Sequence, residues 1–461
     1  MVFPTLEFVL FFAVVLALNL AVDGHPGWRK GMLVAASYLF YAAWDPRMCL
    51  LMAAMTALAW GAGLLVRRPG WTKPVLVVAI AGFLGTLGYF KYANFFVLSF
   101  GQLLASLGLE RDMSWAGVVL PVGISFYIFH GISYVVDTAR GKVEPRANPA
   151  DVAFYISFFP HLVAGPIVRA ADFLPQIDHP RPPDAGLRAE AVTLILTGLF
   201  KKMVVANYLA VMLVDPVFAY PEGHSAAMAW LALLGYAVQI YCDFSGYSDI
   251  AIGVALLLGY RFKANFNQPY RARSLQDFWR RWHISLSSFI RDYLYIPLGG
   301  NRGGAARQSF VLFVTMVLAG LWHGAAWTFI LWGALHGAGL AVERAGRAAG
   351  VRLPHALAVL ATFAFVAALW LPFRAHDSAG AMAMIAAMAG GSGSYDVAPV
   401  VYVLIALGLA MNLLPLSARN GAILTLSRVP AAGQALILGA GTMLLFALSQ
   451  EGTAPFIYFQ F

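Results

Sequence analysis

The chain has 461 residues, of which 60% are hydrophobic and 11% charged, whereas a soluble domain carries about a quarter charged residues. That balance excludes an ordinary water-soluble globule, and because apolar stretches recur from Leu6 to Leu448 without a long hydrophilic break, residues 1–461 read as one membrane domain. The formal net charge of +9 suits cytoplasmic loops and sites facing membrane lipids or anionic ligands rather than nucleic acid, and the two cysteines, Cys49 and Cys242, cannot assemble a disulfide framework or a cysteine metal cluster.

A helix needs about 20 apolar residues to cross roughly 30 Å of hydrocarbon. Leu6–Val22 is the first candidate, and since no Lys or Arg precedes it to form a signal-peptide n-region, it is expected to remain as a span. Met32–Trp44 is short, Met48–Val66 is long enough, and Pro74–Leu107 is too long for one crossing. Val118–Val136 follows, and then Phe159-Pro-His-Leu-Val-Ala-Gly-Pro-Ile-Val-Arg169, whose prolines and glycine should kink or break a helix. Ala189–Val214 is interrupted by Lys201 and Lys202. Ala226–Cys242 runs into Gln239-Ile-Tyr-Cys-Asp-Phe-Ser-Gly-Tyr-Ser-Asp249, where polar groups must be paired internally. Asp243 and Asp249 are expected there as structural partners of arginines in the following segment. Ser309–Trp322 running on through Ala325–Val342, Ala356–Leu371, Val397–Leu414 and Ala435–Leu448 complete the series, for nine to twelve crossings with re-entrant pieces. Basic clusters at Arg29–Lys30, Arg67–Arg68–Lys73 and Arg140–Lys142–Arg146 alternate with less basic connections at Asp45–Arg47 and Glu110–Asp112, which puts the N-terminus outside.

Residues 261–307 are not an ordinary loop. Trp279, Trp282, Phe278, Phe289, Tyr293 and Tyr295 interleave with nine Lys and Arg residues, among them Arg280, Arg281 and Arg291, against only Asp277 and Asp292 as acids. A partly buried cytoplasmic-side element that receives an anionic ligand has this composition, and so does a positive-inside loop with an aromatic belt. On one helix Trp279, His283 and Ser287 would share a face that Arg280 and Arg281 leave.

Of the ten histidines, His25, His179, His224, His355 and His376 sit in loops or at span ends. His130 and His161 read as helix-to-helix hydrogen-bonding residues, and His336, 13 residues after His323, fits no metal-ligand spacing, so no metal site is expected. His323 differs, because Leu318-Ala-Gly-Leu-Trp-His-Gly-Ala-Ala-Trp327 holds no other titratable group. Burial favours a neutral imidazole able to take a hydroxyl proton, Trp322 adjoins it, and Gly320 and Gly324 admit close approach of a helix or a substrate chain. A histidine bonded to a carbonyl between helices is the competing reading.

The motifs PVGISFYIFHGISYVVD (121–137), FFPHLVAGPIVR (158–169), YCDFSGYSDIAIG (241–253), NFNQPYRARSLQDFWRRWHISLSSFIRDYLYIPLGG (265–300), GLWHGAAWTFILWGALHG (320–337) and PFIYFQF (455–461) resemble the membrane-bound O-acyltransferase superfamily without departure at the motif positions. The likeness is to its bacterial branch of alginate O-acetyltransferase membrane subunits and teichoic-acid D-alanyl transfer proteins. The resemblance implies an all-α polytopic fold of about eleven transmembrane helices, with re-entrant or interfacial helices, around a central funnel. It implies His323 as the catalytic histidine, His283 as its support, and no permanently bound cofactor. It further implies acetyl-CoA as a cytoplasmic donor, with Trp279, Arg280, Arg281, Ser287, Arg291 and Trp322 around it, and a bacterial inner-membrane location. The acceptor would be an extracytoplasmic polysaccharide served by periplasmic acetyltransferase-like partner proteins. A transporter or flippase, or a non-catalytic scaffold of a secretion machine, remains the alternative from composition alone.

Overall fold

The computed structural model describes residues 3–109, 117–163 and 165–450, with the side chain of Leu416 left aside. The C-terminal motif at 455–461 and the Glu110–Asp112 connection lie outside these residues. Among the described residues there is no β-strand. Six helices among them, Met48–Leu65, Thr72–Ser106, Ala185–Ala219, Ala226–Leu257, Ala305–His323 and His355–Arg374, are long and apolar enough to cross a membrane. Pro399–Leu413 with Ser417–Ser427, bent by 86°, makes up to seven, against an expectation of about eleven; Leu6–Ala21, Ser378–Gly390 and Ala431–Ala447 are shorter apolar helices.

The chain divides into two compact units, the first Met1–Pro183 with Ala255–Phe262, the second Asp184–Val254 with Lys263–Phe461. In the first, α1 (Leu6–Ala21) is followed by α2 (Pro26–Ala42), which begins with Pro at its first turn where a missing N–H costs nothing. The Arg29–Lys30 cluster therefore lies inside a helix rather than in a loop. Arg29 is buried and donates to Asn19 Oδ1 at 2.9 Å and to the Leu258 carbonyl, while Lys30 pairs with Asp151. α3 is Met48–Leu65, and the overlong Pro74–Leu107 stretch becomes one run, α4 (Thr72–Ser106), loosened by a π-turn at Gly88–Tyr92. At ~1.5 Å per residue its 35 residues extend ~52 Å, more than a bilayer core. α5 (Ile124–Ala139) carries His130, and α6 (Pro149–Ser157) stops before Pro160 as the prolines required; α7 (Ala170–Asp178) is tied back by Arg146 to Asp178 at 2.7 Å.

In the second unit α8 (Ala185–Ala219) contains π-turns at Phe200–Ala206 and Ala210–Val214, and α9 (Ala226–Leu257) is continuous through the polar Gln239–Asp249 stretch. The two lysines that interrupted α8 in the sequence answer the two aspartates: Lys202 Nζ meets Asp243 at 2.7 Å and Lys201 Nζ meets Asp249 at 2.6 Å. The cations of these two pairs come from the preceding helix, where the arginine-rich following segment was expected to supply them. Lys202 and Asp243 are almost fully buried, and a charge at that depth persists only when paired.

Two short helices, α10 (Leu275–Arg281) and α11 (Ile284–Ile290), precede α12 (Ala305–His323) and α13 (Trp327–Ala348); α14 (His355–Arg374) follows. The apolar run from Ser309 to Val342 is not one passage. The chain reverses at Gly324–Ala326, and α12 and α13 pack antiparallel. The reversal is tight because Gly320 faces the Phe329 carbonyl and Gly333 faces the Met316 carbonyl, each so closely that a Cβ would collide with backbone. Their role is helix contact, with no room for a substrate chain at either.

Replacing Gly333 by Ala should force the hairpin apart at a cost of ~1–3 kcal/mol. The measurement is the thermal unfolding midpoint of detergent-solubilised protein, expected to fall by several degrees; an unchanged midpoint would show that the contact is slack.

Candidate active site

The second unit contains a cavity of about 660 Å³ whose walls come from α10, α11, α12 and α13. Gln308, Leu312, Thr315, Met316, Ala319 and His323 recur along α12 at helical spacing, so a single stripe of that helix forms one wall over its length. His323 is the last residue of α12 and only 4% exposed. Its ring is walled by Trp322, Trp332 and Phe373, with centroids at 5.0, 5.1 and 5.3 Å, each near perpendicular. Because α13 runs antiparallel to α12, its C-terminal arginines Arg344 and Arg347 lie beside the beginning of α12, at the far end of the cavity from His323.

The helix expected to carry Trp279, His283 and Ser287 on one face is broken between the first and second of them. The backbone of Asn265 and Asn267 captures this turn: Ile284 N–H donates to the Asn265 carbonyl and Asn267 N–H to the Arg281 carbonyl, both at 2.9 Å. His283 consequently adopts a left-handed conformation (φ 42°, ψ 55°), tolerated by His better than by most side chains, and caps α11 through Nδ1, 3.4 Å from Leu286 N. Asn265, itself buried, holds this turn with its side chain. Its Oδ1 accepts from Ser285 N at 3.1 Å and Ser285 Oγ at 2.9 Å and stands 3.3 Å from His283 Nδ1; its Nδ2 donates to Ser248 Oγ at 3.1 Å.

His283 is fully buried against Phe244, ring centroids 4.6 Å apart, and burial pushes its pKa well down, so the imidazole is neutral. Its Nε2 has no hydrogen-bond partner among the described residues. Trp322 connects the two histidines: its ring centroid is 6.1 Å from that of His283 and 5.0 Å from that of His323.

Of the residues singled out in the sequence, Trp279, Arg280, Ser287, Arg291 and His323 line the cavity. Trp322 and His283 stand behind its wall. Arg281 is turned away, paired with Asp277 at 2.8 Å one helical turn back, and Asp277 also accepts from Arg273 N–H. Asp292 pairs with Arg291 at 2.6 Å. Arg344, Arg347 and Gln276 are cavity residues that sequence reasoning passed over, although Leu340, Arg344 and Arg347 recur at helical spacing after the apolar part of α13. Asn265 was passed over as well; an asparagine in a motif gives no sign of which turn it will hold.

A family model described as MBOAT, membrane-bound O-acyltransferase family, matches residues 143–355, a range that includes every element of this cavity. The chain is also 43% identical over 393 residues to a Pseudomonas aeruginosa protein named "Probable alginate O-acetylase AlgI", covering 84% of this chain and 75% of that one. The chain belongs to the membrane-bound O-acyltransferase family. It is 36% identical over 402 residues to the peptidoglycan O-acetyltransferase of Helicobacter pylori, covering 80% of this chain and 75% of that one. It is 29% identical over 241 residues to the teichoic acid D-alanyltransferase of Streptococcus thermophilus, covering 49% and 57%. This membrane-bound O-acyltransferase is thus an integral, multi-pass enzyme of the O-acetyltransferase type, and the transporter and scaffold readings fall away.

Substituting Asn265 by Leu should take the side-chain acceptor away from the half-buried Ser285 N–H and hydroxyl that hold the His283 turn, and cost roughly 1–3 kcal/mol. Thermal unfolding of the purified variant tests this; a melting point within a degree of wild type would refute the role given to Asn265.

Proposed function

We propose that this acyltransferase carries an acetyl group from cytoplasmic acetyl-CoA to hydroxyls of an extracytoplasmic polysaccharide, alginate or a similar exopolysaccharide, with periplasmic partner proteins completing delivery. The enzyme sits in the bacterial inner membrane with its N-terminus outside. The observation that carries the reading is one cavity with guanidinium groups at one end and a nearly buried imidazole at the other. Acetyl-CoA has matching chemistry: a polyanionic head, a slender uncharged arm, and a thioester at its tip.

His323 acts as general base. A ring nitrogen takes the proton of the attacking hydroxyl, the oxygen bonds to the thioester carbonyl carbon, and the tetrahedral adduct collapses with cleavage of the C–S bond. The same imidazole returns the proton to the departing thiolate, so protons and charge balance over the cycle. Trp322, Trp332 and Phe373 keep bulk water from the thioester, which limits hydrolysis. His283 supports the site across the Trp322 ring, its neutral Nε2 available for a hydrogen bond. The alginate and peptidoglycan O-acetylating relatives support a glycan acceptor.

His323→Ala should lower polymer acetylation by roughly 10²–10⁴-fold, the usual worth of a general base, while the protein still inserts in the membrane. Acetyl content of secreted polymer by mass spectrometry, beside a membrane-fraction blot, is the measurement; undiminished acetylation removes the mechanism.

The two adjacent arginines should separate. Arg280→Ala is expected to raise the KM for acetyl-CoA, with the difference from wild type shrinking as salt is added, because only Arg280 of the two reaches the cavity. Arg281→Ala should instead lower thermal stability through the lost Asp277 pair. Equal effects of both on KM would overturn this division.

A further inference from the structure

The basic end of the cavity is not uniformly available to a ligand. Arg291 is held by Asp292, and Arg347 by Glu343 at 3.1 Å and Gln276 at 2.9 Å. Arg344 and Arg280 line the same cavity and make no ion pair or hydrogen bond with the described residues. Arg344 is the more telling of the two, because it is half-buried on the wall rather than spread into solvent. A half-buried guanidinium without an acid has given up hydration for nothing within the protein, which is the condition of a residue waiting for an anion.

The other end lies at a definite distance. Gln308, beside the arginines, and His323 are the first and last residues of the α12 stripe, and about fifteen residues at ~1.5 Å each separate them by ~22 Å. The interval between is largely apolar. The side chains of Leu312, Met316, Ala319 and Leu340 carry no polar group, and the hydroxyls of Thr315, Ser287 and Ser288 are spent on the carbonyls of Val311, Trp282 and Ser285 at 2.7, 3.2 and 3.0 Å. An apolar slot that follows one helix stripe for ~22 Å suits an extended chain laid along it.

We propose that Arg344, with Arg280, is the phosphate subsite of the donor, and that the α12 stripe from Gln308 to His323 gauges the length of the donor's arm. This rests on the acetyl-CoA reading and adds to it a selection rule: the donor must carry at least two phosphate charges at one end and present its thioester an arm's length away. Two uncommitted guanidinium groups favour the multiply charged head of a free coenzyme A thioester over an arm bearing a single phosphate.

Head and arm can be tested apart on the purified full-length protein by equilibrium binding of two probes, acetyl-CoA and adenosine 3′,5′-bisphosphate, the second having phosphates and no arm. Arg344→Gln should weaken both probes by about tenfold or more, as loss of a charge-assisted contact does, and Arg344→Lys should restore part of that. Leu312→Trp, which fills the slot midway, should weaken acetyl-CoA and leave the bisphosphate unchanged. Wild-type affinity for acetyl-CoA in Arg344→Gln, or in Leu312→Trp, overturns the subsite or the gauge while the donor reading stands. A wild-type protein that binds neither probe would bring down the donor reading itself, and the inference with it.

Discussion

Glycine contacts between α12 and α13 set the geometry on which the site depends. With Gly320 and Gly333 pressed against carbonyls of the opposite helix, the two axes approach more closely than side chains would allow, and the hairpin closes within a three-residue turn. An antiparallel hairpin has a consequence that a single passage lacks: the end of α12 and the end of α13 lie at opposite extremes. His323 terminates one and Arg344 and Arg347 stand near the end of the other, so the imidazole and the cations are held far apart along one wall. Under the proposed mechanism proximity would be costly, since a guanidinium beside His323 would oppose a protonated imidazole there.

The handling of charge elsewhere in the second unit follows one rule with two outcomes. Where ionised groups lie deep in apolar helices they are matched in pairs, Lys202 with Asp243 and Lys201 with Asp249, and α8 takes a π-turn at the point where both lysines emerge. Around the cavity the balance is left incomplete, since Arg280 and Arg344 meet no acid among the described residues.

His283 illustrates a different economy. It takes a left-handed backbone, caps a helix with one nitrogen, and leaves the other, buried nitrogen without a hydrogen-bond partner among the described residues. Asn265 makes this possible by accepting with its side-chain oxygen from both the N–H and the hydroxyl of Ser285, beside the His283 ring. The result is an imidazole held rigidly beside Trp322, the ring that His323 also touches.

Much of this was legible in one dimension. Composition and the recurrence of apolar stretches determined a helical, multi-pass protein, because hydrocarbon admits no other way of pairing backbone groups along such segments. The isolation of His323 in apolar sequence and the cluster of arginines and aromatics in residues 261–307 determined where the chemistry was to be sought, since ionisable groups there are too expensive to be incidental. Tertiary structure decided which charges were spent and which were free. Periodicity has no means of showing that Lys201 and Lys202 would reach Asp249 and Asp243, that Asn265 would break the helix before His283, or that α13 would fold back to place Arg344 beside the start of α12. Those are contacts between residues distant in sequence, set by the angle and separation at which helices meet, and local pattern carries no information about either.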